Sequence, residues 1–296
     1  MDTGFSSYHP LTQFIYFAAV LSVCMFIMNP ILLGISLLSA AAYVLYSAGI
    51  NAFLKLIRLN VITSAMIIII NPLISHRGIT PILTLPDGNK LTLEALIFGI
   101  SAALMLSSIT AWFYSINRIF NSEKVMWLFG RISPKLALFL SMTLNFISKF
   151  SVRFRQVRAA QFPLGYDTAT GKKKHRIRKG IRILSVMIGW SLENSVDTAD
   201  SMKSRGYGSA KRSFYSIFTM RKKDYIVIAS SIIISAGIFV MRYFGAADYS
   251  YYPYFEIVIN GISDIAVIIV YIILCLFPII IDIREDCHWR SIRSVI

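Results

Sequence analysis

The sequence predicts an all-α integral membrane protein, with about six transmembrane helices and a cytoplasmic domain of two long amphipathic helices. Three observations carry that expectation. Only 15% of the 296 residues are charged while 56% are hydrophobic, and a soluble domain needs about 25% charged residues to face water. Six runs are uncharged or nearly so: Leu11–Met28, Pro30–Asn51, Leu59–Ser75, Ala95–Asn117, Tyr225–Met241 and Ile257–Ile281. Each approaches the roughly 20 apolar residues that cross a hydrocarbon core. The net charge of +15 is also segregated: 22 of the 30 Lys and Arg lie between Arg118 and Lys223 with only 5 of the 15 acids, giving +17 there and −2 elsewhere.

The elements follow in chain order. The first run has only Asp2 as a charged residue before it and passes directly into the next at Asn29-Pro30, so it is expected to be a retained span rather than a cleaved signal. Four spans fill residues 1–117. The connection at 76–94 holds an apolar patch able to dip into the membrane. Residues 118–223 form the basic block, which the retention of positive charge on the inner side makes cytoplasmic. Part of its charge is expected to meet anionic headgroups. Two further spans fill 224–296, so both termini are cytoplasmic, as are Lys55 and Arg58. The acidic, tyrosine-rich "GAADYSYYPYFE" at 245–256 then lies outside. Cys24, Cys275 and Cys287 share no short spacing, and His9, His76, His175 and His288 fall in separate segments. No metal, disulfide framework or cofactor is implied.

Within the basic block, Ser133-Pro134 reads as a hydroxyl cap with proline at the first helical position. The helix runs over about 134–162, its first half apolar nearly all round and its second half basic through Lys149, Arg153, Arg155 and Arg158. The connection "GYDTATGKKKHRIRKG" is not a phosphate loop: five residues separate Gly165 from Gly171, and Lys172 is followed by Lys173, where that loop needs four residues and a Ser or Thr. A second helix spans about 180–205. Ile181, Leu184, Ile188, Leu192, Val196, Ala199 and Met202 form one apolar stripe, opposite Arg182, Gly189, Glu193, Asp197 and Ser204, with Asp200 at the margin. Gly206 sits where a left-handed cap is wanted, which holds Arg205 at a stiff helix end. Lys203 is spaced to pair with Asp200.

Four segments together carry a family resemblance: "HPLTQFI" at 9–15, "NPLISHRG" at 71–78, "LFGRISPKLALFLSMTLNF" at 128–146 and, most specific, "WSLENSVDTADSMKSRGYG" at 190–208. The chain resembles the transmembrane coupling subunit, the T component, of energy-coupling factor transporters. The resemblance implies a non-catalytic subunit in the plasma membrane of a prokaryote. Its partners would be two ABC-type ATPase subunits and a small membrane-embedded substrate-binding subunit, the S component, of a vitamin or metal-ion importer. It further implies two coupling helices, each ending in an Ala-Arg-Gly-like motif whose arginine docks into an ATPase groove. The second motif falls on Ser204-Arg205-Gly206, flanked by Met202 and Tyr207. The first falls on Gln161, Leu164 and Gly165, with leucine where the family has arginine and Arg158 or Lys172 as compensating cations.

Two other classes compete. A stand-alone secondary transporter calls for internal repeats and intramembrane ionisable residues, and Asp264 is the one acid well inside a predicted span. A Mg-dependent intramembrane transferase would use Asp197 and Asp200, yet no second acidic cluster at bilayer depth joins them. The run "KKKHRIRK" at 172–179 favours headgroups or an acidic partner over nucleic acid.

Overall fold

Helix starts organise the architecture, and several are made by a capping residue the sequence supplies. The computed structural model describes residues 4–75, 78–84, 90–164, 173–209, 218–253, 255–257 and 261–293. A 3-10 turn, Gly4–Ser7, precedes α1 (Pro10–Phe26), α2 (Pro30–Ala48) and α3 (Ile50–Ile74). His9 and Asn29 cap α1 and α2, each accepting from the backbone N–H two residues on, with proline at the first helical position. Gly49, at φ +80°, makes the sole break between α2 and α3. Lys55 and Arg58 therefore ride on the first turns of α3 rather than in a connecting loop.

The chain continues through the antiparallel hairpin β1 (Pro81–Thr84) and β2 (Lys90–Thr92), then α4 (Leu93–Ile119), α5 (Ser122–Ile132), α6 (Pro134–Gln161) and α7 (Lys173–Ser204). The apolar patch in the 76–94 connection is thus a strand where it is described. It ends with α8 (Lys222–Tyr243), a short antiparallel pair β3 (Tyr249–Ser250) and β4 (Glu256–Ile257), and α9 (Ile262–Arg293). Six helices are long and apolar enough to cross a membrane: α2, α3, α4, α6, α8 and α9. This is a multi-pass, all-α membrane protein. The six differ by one from the runs read in the sequence. The first run folds as a helix of 17 residues, shorter than the others, and α6 meets the length and composition instead.

The chain divides into two units, 1–125 with 218–296, and 126–217. In the first, α1, α2, α4, α8 and α9 surround a core of large aromatic side chains, among them Tyr16, Tyr43, Trp112 and Tyr271. Aromatic polar groups buried at membrane depth need protein partners, because lipid offers none. Trp112 Nε1–H donates to Ser36 Oγ at 3.0 Å, and the Tyr16 hydroxyl donates to the Leu274 carbonyl at 2.7 Å. A polar ladder holds α3 to α4: Thr110 Oγ1–H donates to Asn60 Oδ1 at 2.6 Å, and the Ser64 and Ser107 hydroxyls meet at 2.9 Å.

Buried charges in this unit serve backbone ends. Asp224, in the first turn of α8, accepts from the His9 N–H at 3.0 Å, the Thr12 hydroxyl at 3.2 Å and the Arg221 N–H at 2.8 Å. One carboxylate therefore caps the starts of α1 and α8, where helix dipoles favour negative charge. Asp264, expected deep in a span, lies in the first turn of α9, because that helix begins only at Ile262. Its carboxylate accepts from the Ala247 N–H at 2.8 Å. Lys124 is buried and donates to the Ser6 and Ile119 carbonyls at 2.6 and 3.0 Å. Around Met28, the Met28 N–H donates to the Tyr249 hydroxyl oxygen at 3.0 Å and the Tyr251 hydroxyl donates to the Met28 carbonyl. The tyrosine-rich connection thereby closes both backbone groups of the α1–α2 turn.

Replacing the double cap tests this construction. Asp224→Ala strands the His9 and Arg221 donors, at roughly 1–3 kcal/mol for each buried group left without a partner. The melting temperature in mild detergent is expected to fall clearly for Asp224→Ala and to stay unchanged for the exposed Asp197→Ala.

Candidate functional site

The second unit contains the residues singled out on sequence. α6 and α7 pack on each other through a narrow seam. Phe146 stacks on Trp190 with centroids 5.7 Å apart and planes 19° apart, and Arg153 places its guanidinium 5.8 Å from the same Trp190 ring. Further along, Val157 is buried with Ile183 and Met187, and Phe150 packs against them. Residue numbers rise along α6 as they fall along α7, so the two helices are antiparallel.

The seam differs from the face the sequence favours. Ile183, Met187 and Trp190 recur at steps of four and three, as a packed face requires. Of the predicted stripe, Ile181, Leu184, Ile188, Leu192, Val196 and Ala199 are exposed and Met202 is half-buried. At 3.6 residues per turn the two faces lie roughly 150° apart around the helix. Periodicity selects the longer apolar row, and the signal it leaves out is the aromatic pair Phe146 and Trp190, which stacks in the seam. α7 also starts at Lys173, two turns before the expected Gly180. Lys and Arg are good helix formers, and one glycine does not stop a helix that they extend. α6 starts at Pro134 as expected, but Ser133 contributes no side-chain cap bond.

The end of α7 is sharply defined. Gly206 has φ +79°, which only glycine adopts without strain. Its N–H donates to the Lys203 carbonyl at 2.9 Å, and the Tyr207 N–H donates to the Met202 carbonyl at 3.0 Å. That bond pair is a Schellman motif, which satisfies carbonyls otherwise orphaned at a helix end. Ser204 Oγ–H donates back to the Ser201 carbonyl at 2.9 Å, and Ser209 Oγ–H to the Gly206 carbonyl at 2.6 Å. Arg205 is exposed at this terminus, and among the described residues its guanidinium has no hydrogen-bond or ion-pair partner. Met202 is half-buried and Tyr207 exposed.

The other predicted tip is at the end of α6. Arg158 and Leu164 are exposed, the Phe162 N–H donates to the Arg158 carbonyl at 3.1 Å, and Gln161 Oε1 is buried without a partner among the described residues. Gly165 and Lys172 lie outside the described residues. The structure does not bring the two tips together. Val157, one turn before Gln161, pairs with Ile183, and the stretch from Ile183 to Arg205 is roughly 33 Å long at 1.5 Å per residue. The tips therefore sit at opposite ends of the helix pair.

The acidic residues of α7 form no centre. Asp197 and Asp200 are exposed, and Asp200 makes no ion pair with Lys203 among the described residues. No group of three or more His, Cys, Asp or Glu among the described residues is placed to hold a metal ion.

Fold and surface together define an all-α, multi-pass membrane protein carrying a separate unit of two antiparallel helices. No protein-family model matches the chain. Three curated proteins do, each an energy-coupling factor transporter transmembrane protein EcfT. Those of Bacillus subtilis (strain 168), Limosilactobacillus fermentum and Lactobacillus helveticus are 29%, 28% and 30% identical over 109 residues, 36% of this chain. The matched stretch spans 41%, 41% and 39% of those relatives, well under half of their length. The chain is EcfT-like: it is similar to the T components of energy-coupling factor transporters.

The Arg205 terminus depends on glycine at 206. Gly206→Ala puts a side chain into the left-handed region, where an L residue loses roughly 1–2 kcal/mol, and brings a Cβ to 3.2 Å from Ser209 Oγ. Amide hydrogen exchange at Arg205 and Tyr207 is expected to accelerate about tenfold in Gly206→Ala, with exchange at Ile183 unchanged.

Proposed function

We propose that this chain is the non-catalytic coupling subunit of an energy-coupling factor importer for a vitamin or metal ion, and that residues 118–223 are its coupling domain. The membrane helices of 1–117 and 224–296 anchor it in the plasma membrane with both termini cytoplasmic. ATP hydrolysis belongs to two ABC-type ATPase subunits, and substrate selection to a small membrane-embedded binding subunit. One observation carries the reading. An arginine without a partner among the described residues stands on a closed helix terminus, at the far end of a stiff helix pair from a second exposed tip. A catalytic centre gathers its groups. This unit separates them, as a lever between two bodies requires.

Ser204, Arg205 and Gly206, with Met202 and Tyr207, form the ATPase contact at one end. Arg158, Gln161, Leu164 and Gly165 form the contact at the other. The first is cationic at its apex and the second apolar there, so the two ATPase interfaces are unequal, a pattern that suits two different ATPase subunits. Bound ATPases pull on these tips, and α6 and α7 transmit the movement to the substrate-binding subunit.

Removing one side of a desolvated charged contact costs about 2–5 kcal/mol, roughly 30-fold to several-thousand-fold in affinity. Arg205→Ala is expected to lose ATPases by that factor when the complex is purified from native membranes. Arg205→Lys restores only part of the loss, because an ammonium lacks the planar fork. Full ATPase recovery and normal uptake with Arg205→Ala would exclude the assignment.

A further inference from the structure

Antiparallel pairing does something to the charge of α6 and α7 that their separate sequences do not show. It folds the basic second half of α6 onto the basic first turns of α7. The described residues between 149 and 182 contain ten Lys and Arg and no acid, Arg153, Arg155 and Arg158 on one helix and Lys173, Lys174 and Arg178 on the other among them. The acids of α7, Glu193, Asp197 and Asp200, all fall in its second half. Cations crowded at the start of a helix oppose its dipole, so an anionic neighbour stabilises this end of the pair.

The same turns carry the exposed apolar row. Ile177 is 64% exposed, Ile181 60%, Leu184 53%, Ile188 53% and Leu192 63%. On the helical wheel this row is bracketed by Lys173 on one side and by Lys174 and Arg178 on the other, with the α6 seam well away from it. An apolar row between cationic flanks matches a helix lying in the plane of a membrane interface, its long cationic side chains reaching the headgroups. We infer that the first half of α7, Lys173–Leu192, is seated on an anionic phospholipid surface. Ile177, Ile181, Leu184, Ile188 and Leu192 enter the headgroup boundary, and Lys173, Lys174 and Arg178 bind lipid phosphates. The second half is excluded by its own carboxylates, which leaves Arg205 in water. The leaflet is always at hand, since the chain is tethered in the membrane on both sides of this unit. The inference rests on charge and exposure and is independent of the transport reading.

The test uses the full chain in nanodiscs, with a spin label on Ile181→Cys in a Cys287→Ser background, Cys24 and Cys275 being buried. A label on Asp197→Cys, on the opposite side of the helix, is the reference. Collisions with oxygen and with a water-soluble nickel chelate are compared in discs of neutral phosphatidylcholine and of phosphatidylcholine with phosphatidylglycerol. The expected result is a label at 181 that is oxygen-accessible and nickel-shielded in the anionic disc alone, while the label at 197 meets nickel in both. Each cation at such a surface is worth roughly fivefold in partitioning. Lys173→Gln, Lys174→Gln and Arg178→Gln together should therefore cut insertion about 100-fold. A second measurement needs no charge variant: raising NaCl to 0.5 M should release the label in the anionic disc, as screening predicts. A label at 181 shielded from both probes would mean protein covers the row and would overturn the inference. Water exposure in both discs, or equal insertion in neutral lipid, would overturn it as well.

Discussion

The first N–H groups of every helix lack helical partners, those buried in protein lack water as well, and much of the membrane unit is arranged around meeting that need. Asp224 is the clearest case. Its carboxylate serves the starts of α1 and α8 at once, so two helices distant in sequence share one origin. Asp264 meets the Ala247 amide from the first turn of α9, and Asp282 accepts from the Phe5 amide in the turn that precedes α1. Each of these acids accepts from at least one backbone amide. A chain poor in charge thus buries these carboxylates by giving them backbone donors.

The two-helix unit obeys a different rule. Its seam is small, one valine, one isoleucine and one methionine closed by a stacked aromatic pair. Most of its apolar surface stays exposed. A soluble protein does not leave a row of five aliphatic side chains in water; a membrane protein with an interfacial leaflet or a membrane partner has a place for it. The antiparallel pairing then sorts charge by position, cations at one end and acids along the other.

Much of this was legible from residue types. Five of the six candidate spans follow from long uncharged runs, the start of α2 from Asn29-Pro30, and the end of α7 from Gly206 directly after a cation. Element boundaries were less legible where propensity overruled a breaker, as at Gly180, or where a single glycine separated two helices, as at Gly49. The packing face of α7 is not legible, because periodicity counts aliphatic residues and is blind to which neighbour arrives; here it is α6 with Phe146 and Arg153, both against Trp190. The depth of Asp264 is not legible for a related reason. Hydropathy extends a span across a β-strand that precedes it, and the helix start lies five residues later than the run. The separation of the two tips was not legible at all, since nothing in either helix states their relative direction.

The Schellman terminus has a consequence for timing. Fixing one residue's backbone costs about 1–2 kcal/mol in conformational entropy. At Met202 to Ser209 that cost is met during folding, by bonds within the terminus itself. Whatever meets Arg205 therefore meets a group already in place. Encounter needs no search through loop conformations, so recognition there can be as fast as orientation and charge allow, and the strength of the contact is expressed in how long it lasts.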